Sequence, residues 1–184
     1  MTEKKPILEN DIKESVGMLV RHRVPWLALG LAGGMAASFV VSKYEAILGN
    51  DIRLAFFIPV IVYLSDAIGT QTETIYVRYL RKTGAHFWKY IWKETQLGLS
   101  LGAIFGLAAG LFAYGWLKSA DIGLAVGIAM FVNMMIAPIV ATVIPMALYK
   151  EHADPALGAG PLATVIQDLL SLIVYFLIAT LIIF

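Results

Sequence analysis

Five long runs of apolar residues, separated by short polar segments, dominate the hydrophobic pattern of the chain. A helix needs about 20 mainly apolar residues to cross the hydrocarbon core of a bilayer. Each run reaches that length, so the pattern predicts five membrane-spanning helices. Their approximate limits are 25–48, 53–80, 95–117, 122–149 and 162–184. The predicted fold is therefore an all-α integral membrane protein with a transmembrane domain over residues 25–184.

The first 24 residues differ from this pattern because they mix charges of both signs and have no continuous apolar core. A secretory signal peptide needs such a core before its cleavage site, so the segment is not interpreted as one. Its apolar residues favour one side of a helix, which predicts an amphipathic cytoplasmic segment over residues 1–24. Pro25 suits the first turn of the helix that follows.

Composition supports a membrane location. Hydrophobic residues make up 59% of the 184 positions, charged residues 15%, and the mean hydropathy is +0.78. A soluble domain of this size has too little interior to hide so much apolar surface. The chain has no cysteine, which excludes disulfides. We therefore expect a multi-pass protein of the cell membrane whose main surroundings are the lipid bilayer.

The distribution of lysine and arginine predicts the orientation, because cytoplasmic loops are enriched in these residues. Three of them fall on the side reached after the first and third spans: Lys43, Arg53 and Lys118. The other eleven fall on the opposite side: Lys4, Lys5, Lys13, Arg21, Arg23, Arg78, Arg81, Lys82, Lys89, Lys93 and Lys150. The N-terminus is predicted to be cytoplasmic and the C-terminus to lie on the outer side.

Several functional classes are disfavoured. The net charge of +1 gives no sign of nucleic-acid binding. Aromatic and basic residues alternate over positions 86–93, but next to two spans they indicate an interfacial anchor helix. The spans contain no metalloprotease motif, no serine-histidine-aspartate set and no phosphate-binding loop. We expect neither an enzyme with catalytic residues nor an organic cofactor.

Glycines recur at every fourth position in the third predicted span, at Gly98, Gly102, Gly106 and Gly110. Residues with this spacing share one face of a helix. Such a face could form part of a pore wall, but small residues also let membrane helices approach closely. A packing face is the favoured interpretation.

Carboxylates occur inside two of the apolar runs. In the second span, Asp66, Gly69, Thr70 and Glu73 have the spacing of one helix face. In the fifth span, the same holds for a set that consists of Thr164, Asp168, Ser171 and Tyr175. An ionised carboxylate near the bilayer centre costs about 3 kcal/mol or more, so these groups cannot face lipid.

No lysine or arginine lies near Asp66 or Asp168 along the chain at a comparable depth. The remaining explanations are a water-filled cavity, protonation or a bound cation. For Glu73, a solvated interfacial carboxylate or a pair with Arg78 is an equally good interpretation. All candidate ligands are hard oxygens, which favours Mg²⁺, Ca²⁺ or Mn²⁺ over zinc or copper.

Magnesium gives up its waters reluctantly, so a carboxylate could hold the hydrated ion through its water shell. One aspartate is a small ligand set for a divalent cation. In a two-fold homodimer, the commonest oligomer symmetry, Asp168 would be present twice near the axis. The sequence thus suggests metal-binding roles for Asp168, Thr164, Asp66, Glu73 and Thr70.

Two segments resemble the MgtE-type magnesium channel family. In IPVIVYLSDAIGTQTETIYVRYL the residues that match the family's second-span signature are Pro59, Gly69, Gln71, Thr72, Arg78 and Leu80. In IPMALYKEHADPALGAGPLATVIQDLLSLIVYFLIA the match comprises Pro145, Asp154-Pro155-Ala156, Gly160-Pro161-Leu162 and Asp168. The resemblance covers about residues 22–184, including the order of the five spans.

The resemblance implies a homodimeric Mg²⁺ channel whose pore lies between the subunits and is lined by the second and fifth spans. By this resemblance, Asp168 captures hydrated Mg²⁺, and the backbone carbonyl of Thr164 assists. Many family members carry large cytoplasmic N and CBS domains that sense magnesium. Only about 24 residues precede the first span here. We therefore expect gating without those domains or by a separate cytoplasmic regulator.

The chain departs from the family pattern in its acidic residues. Ser65-Asp66-Ala67 stands where the family usually has Gly-Gly-Asn, and Glu73 replaces a small residue. The extra carboxylates could add a second ion site, relax the selectivity or couple transport to protons. A proton- or ion-coupled exchanger of divalent cations is therefore the main alternative to a channel. A non-transporting membrane partner subunit is the third interpretation.

Overall fold

The structure is a computed structural model that describes residues 14–83 and 86–184. Its regular elements within these ranges are all helical. They are α1 (Val16–Lys43), α2 (Glu45–Asn50), a 3₁₀ helix (Ile52–Phe57), α3 (Ile58–Thr83), α4 (Phe87–Leu117), α5 (Ala120–Lys150) and α6 (Pro155–Ile183).

Five segments are long and apolar enough to cross a membrane: α1, the 3₁₀ helix together with α3 as far as Leu80, α4, α5 and α6. Each contains 28 to 31 residues. At a rise of about 1.5 Å per residue, such helices exceed the hydrocarbon core of about 30 Å and extend into the headgroup layers. The predicted all-α membrane fold with five spans is confirmed. The sidedness of the two termini stays a prediction.

Three helices begin well before their predicted limits: α1, α4 and α6, the last of which starts at Pro155 rather than near residue 162 and contains Pro161 in its interior. Helix α1 starts at Val16, where the Ser15 hydroxyl accepts a hydrogen bond from the Met18 amide, and Pro25 lies inside the helix. The prediction that Pro25 occupies a first turn is therefore wrong. Residues 1–13 of the predicted amphipathic segment lie outside the described residues, and the division at residue 24 stays a prediction. Helix α4 starts at Phe87, so the aromatic and basic segment forms its first turns rather than a separate anchor helix.

Helices α5 and α6 form the centre of the bundle. Helix α5 packs against α3, α4 and α6, and α6 also packs against α1 and α3. Half of the apolar stretch of α5 is buried, compared with 6% of that of α1. Side chains at this centre include Ile61, Val126, Met130 and Phe176, all of which are almost inaccessible. This arrangement places α3 and α6 side by side, and α3 keeps an exposed face that includes Tyr63, Thr70 and Thr74.

The glycines of α4 form a packing face, as predicted. A Cβ atom on Gly106 would lie 2.7 Å from the backbone oxygen of Gly127, and one on Gly110 would lie 2.8 Å from that of Gly123. Such distances are shorter than real Cβ contacts. Helices α4 and α5 therefore touch backbone to backbone, which only glycine allows.

The 3₁₀ helix before α3 is held in place from both sides. At its start, Asp51 accepts hydrogen bonds from the amide and the guanidinium of Arg53, and the latter lowers the pKa of the Asp51 carboxyl. The fully buried Tyr175 of α6 donates a 2.7 Å hydrogen bond to the backbone carbonyl of Leu54. These contacts fix the end of the chain segment from which α3 continues.

Candidate cation site between helices α3 and α6

Asp66 and Thr164 form the contact that joins the two acidic helices. The Thr164 hydroxyl donates a 3.0 Å hydrogen bond to Oδ1 of Asp66. Both side chains are partly buried. Because Asp66 lies in the third turn of α3 and Thr164 in the third turn of α6, the bond fixes the rotation of one helix relative to the other at this level.

Two further carboxylates lie around Asp66. Asp66 is close enough to interact electrostatically with Glu73, two turns later on α3, and with Asp168, one turn after Thr164 on α6. Glu73 reaches toward the start of α6, where its Oε1 atom lies 3.7 Å from the place that a Cβ on Gly160 would occupy. The three carboxylates are all partly buried and share one region between α3 and α6.

The predicted stripe on α3 divides between two environments. Gly69 is buried against α5, and a Cβ there would lie about 4 Å from Ala137 and Ala141. Thr70 is exposed. The expectation that all four residues point the same way is therefore wrong for Gly69. The remaining residues still form an edge, with Asp66 and Glu73 toward α6 and Thr70 on the uncovered face.

The predicted stripe on α6 divides in the same manner. Ser171 and Tyr175 are fully buried, and their hydroxyls make hydrogen bonds inside the bundle. Gln167 donates to the Ser171 hydroxyl, and Asn133 of α5 donates to the Ser171 carbonyl. Ser171 therefore supports the packing of α6 on α5, and Tyr175 supports the packing of α6 on the 3₁₀ helix, whereas Thr164 and Asp168 remain partly accessible.

The geometry matches a hydrated ion better than a chelated one. Within the described parts of the chain, no group of three or more acidic, histidine or cysteine residues converges closely enough to hold a metal directly. Carboxylates that are near each other but do not converge can still bind the water shell of Mg²⁺, which retains several waters in proteins. The oxygen-only donor set on one accessible edge fits such an ion.

One buried acid, Glu94, was not predicted from the sequence. Glu94, in the second turn of α4, is only 7% exposed and accepts a 2.8 Å hydrogen bond from the Thr72 hydroxyl on α3. Glu94 follows Lys89 and Lys93 and precedes the apolar part of α4, so its sequence position is typical of a solvent-exposed acid at the membrane boundary. No signal along the sequence identifies Glu94, because its partner Thr72 lies on another helix.

Comparison with known proteins identifies related sequences. Residues 58–178 match the model of the MgtE family, which is described as a divalent cation transporter. The chain is 32% identical to the magnesium transporter MgtE of Bacillus subtilis over 162 residues, or 86% of this chain. It is 31% identical to that of Enterococcus faecalis over 92% of this chain, and 28% identical to that of Thermus thermophilus over 86%.

The matched regions cover 36% to 38% of the length of these relatives. The similarity thus concerns one part of each relative, and in this chain it includes α3, α4, α5 and most of α6. Asp66, Glu73, Thr164 and Asp168 all lie inside the matched range. The matched family is one of transporters and not of enzymes, as expected from the sequence.

Proposed function

The chain belongs to the MgtE family of divalent cation transporters, and we propose that this multi-pass membrane protein conducts Mg²⁺ across the cell membrane. The observation that carries the proposal is the contact of Asp66 with Thr164, together with its electrostatic interaction with Asp168. It brings acidic groups from two helices to one accessible edge. Ionisable residues inside a membrane segment are candidate parts of an ion pathway by default.

Asp168 is the proposed capturing group for hydrated Mg²⁺. It is partly accessible, and it is near enough to Asp66 for the two carboxylates to interact electrostatically. The hydroxyl of Thr164 is already engaged with Asp66, so the backbone carbonyl of Thr164 is the oxygen that we assign to the ion's water shell. Thr70 and Glu73 extend the polar path along α3.

A pore of this kind needs a second wall, and a second copy of the chain is the proposed source. Along α3, the side chains of Val60, Tyr63, Thr70 and Thr74 are exposed on one strip of the helix beside the acids. Tyr63 is 70% exposed. In a two-fold dimer that covers this strip, Asp168 of both copies would face a shared passage and double its charge.

A proton- or ion-coupled exchanger is the second candidate. It is favoured by one observation: Asp66 interacts electrostatically with both Glu73 and Asp168. Neighbouring carboxylates that share a site can exchange a proton for a cation, because like charges disfavour joint ionisation. Two of these three acids occupy positions where the family pattern has other residues.

Flux into liposomes distinguishes the candidates. Purified protein is reconstituted, and Mg²⁺ entry is followed with and without an opposing proton gradient, and with competing Mn²⁺, Ca²⁺ or Co²⁺. A channel carries Mg²⁺ down its own gradient at an unchanged rate when the proton gradient is removed. Flux that stops without the gradient supports the exchanger. No flux of any divalent cation under either condition would contradict both, and would leave a non-transporting partner subunit.

A further inference from the structure

Glu94 is a buried acid that the proposed ion pathway does not use. Its side chain is 7% exposed, and its Oε2 atom accepts the 2.8 Å hydrogen bond from Thr72. Among residues 14–80 and 86–184, no lysine or arginine forms an ion pair with it. A carboxylate in such a place is unfavourable unless its hydrogen bonds compensate, so the contact with Thr72 carries unusual weight.

A second contact lies one turn away on both helices. The rings of Tyr76 on α3 and Tyr90 on α4 have centroids 4.6 Å apart. Thr72 and Tyr76 are four residues apart, as are Tyr90 and Glu94, so each pair shares one face of its helix. We call these four residues the α3–α4 clamp. Thr72 and Tyr76 are both nearly inaccessible, at 2% and 0% exposure.

The clamp acts on the helix that carries the acidic edge. Thr72 directly precedes Glu73 and lies six residues after Asp66 on α3. Helix α4 itself is fixed by its backbone contacts with α5 through Gly98, Gly102 and Gly106. A hydrogen bond from α3 to this fixed helix therefore restrains the rotation of α3 at the level of Glu73.

We propose that Glu94 is a positioning residue for ion binding: it accepts the Thr72 hydrogen bond and thereby holds Asp66 and Glu73 toward α6. The proposal rests on the proposed function, because it concerns the same acidic edge. Glu94 does not touch the ion in this account. Its side chain is buried between α3 and α4, whereas the acidic edge lies between α3 and α6.

Paired variants separate positioning from general packing. Thr72→Val removes the hydroxyl that reaches Glu94, and Thr95→Val makes the same chemical change on α4 one residue from Glu94. The Thr95 hydroxyl donates only to Ile91 of its own helix, so Thr95→Val is the matched control. Glu94→Leu removes the acceptor, and Glu94→Gln retains a neutral acceptor oxygen. Each variant is measured for liposome Mg²⁺ flux over a range of Mg²⁺ concentrations and for thermal unfolding with and without Mg²⁺.

Loss of a hydrogen bond to a charged group corresponds to roughly a tenfold change in an equilibrium. We expect Thr72→Val and Glu94→Leu to raise the half-saturating Mg²⁺ concentration by about tenfold, with a smaller change in maximal rate. The rise in unfolding temperature caused by Mg²⁺ should shrink in parallel, because a ligand stabilises the state that it binds. Glu94→Gln should shift half-saturation by only about threefold, since neutral hydrogen bonds are about half as strong.

If Thr72→Val lowers thermal stability but leaves half-saturation equal to that of Thr95→Val, the clamp is merely structural and the proposal is wrong. If Glu94→Leu does not fold, the half-saturation of Thr72→Val alone tests the proposal. Failure of the proposed function looks different, because the unaltered protein would then show neither Mg²⁺ flux nor stabilisation by Mg²⁺.

Discussion

The hydroxyl of Thr164 on α6 donates a hydrogen bond to the carboxylate of Asp66 on α3. The two residues are 98 positions apart in the sequence, yet this bond joins the two helices that carry the candidate ion ligands. It stabilises an acid inside a membrane segment and leaves the other carboxylate oxygen of Asp66 free for the ion or its waters. The pair is therefore both a structural link and a part of the site.

Thr164→Val tests this link. Because Asp66 is partly accessible to water, the loss should lower the free energy of unfolding by about 1 kcal/mol rather than the larger amounts seen for fully buried charges. Thermal unfolding in detergent measures it, and Thr180→Val is the control, since the Thr180 hydroxyl donates only within α6. In an Asp66→Ala background the effect of Thr164→Val should largely disappear. Equal effects with and without Asp66 would show that the two residues are not coupled.

Gly106→Ala tests the close packing of α4 on α5. The added methyl group would meet the Gly127 carbonyl at 2.7 Å, so the helices must separate. Overpacking of this kind costs about 1–3 kcal/mol of stability. Gly115→Ala is the matched control on the same helix, because a Cβ there has no atom within 4 Å. Gly106→Ala should lower the unfolding temperature, and Gly115→Ala should leave it unchanged. Equal unfolding temperatures of the two variants would contradict the packing interpretation.

Tyr175→Phe tests the attachment of the 3₁₀ helix to α6. The variant keeps the ring and loses the hydrogen bond to the Leu54 carbonyl, which should cost about 1 kcal/mol of stability. Tyr63→Phe provides the control, since Tyr63 is 70% exposed. Both variants are compared by thermal unfolding and by hydrogen exchange of residues 52–57. Unchanged exchange of the 3₁₀ helix in Tyr175→Phe would show that Tyr175 does not hold it.

Much of the fold followed from the sequence because membrane spans are long and their hydrophobicity is continuous. The five spans and the packing role of the α4 glycines were predicted from runs and spacing alone. The starts of α1, α4 and α6 were not, because a helix can continue through charged residues and prolines once it leaves the hydrocarbon core. Hydropathy marks where a helix enters the lipid, not where it begins.

The surroundings of the candidate site were harder to predict than the fold. Helical spacing predicts that Asp66 and Glu73 share one face and that Thr164 and Asp168 share another, but it does not say which neighbouring helix covers each part of a face. Helix α5 covers Gly69, and Asn133 of α5 contacts Ser171. Gly69 and Ser171 are therefore not part of the candidate site. Glu94 was missed since its partner Thr72 lies on another helix, and only tertiary structure reveals that pairing.

The central claim is that Asp168 and Asp66 face an ion pathway. The most direct measurement is Mg²⁺ influx into liposomes that contain the unaltered protein, Asp168→Ala, Asp66→Asn or the control Asp121→Asn, an exposed acid in the first turn of α5. The three variants should fold, since removal of the partly buried carboxylate of Asp66 or Asp168 relieves a desolvation cost and Asp121 is exposed. We predict that Asp168→Ala abolishes influx, that Asp66→Asn reduces it more mildly, and that Asp121→Asn retains it. Influx through Asp168→Ala at the rate of the unaltered protein would contradict the account.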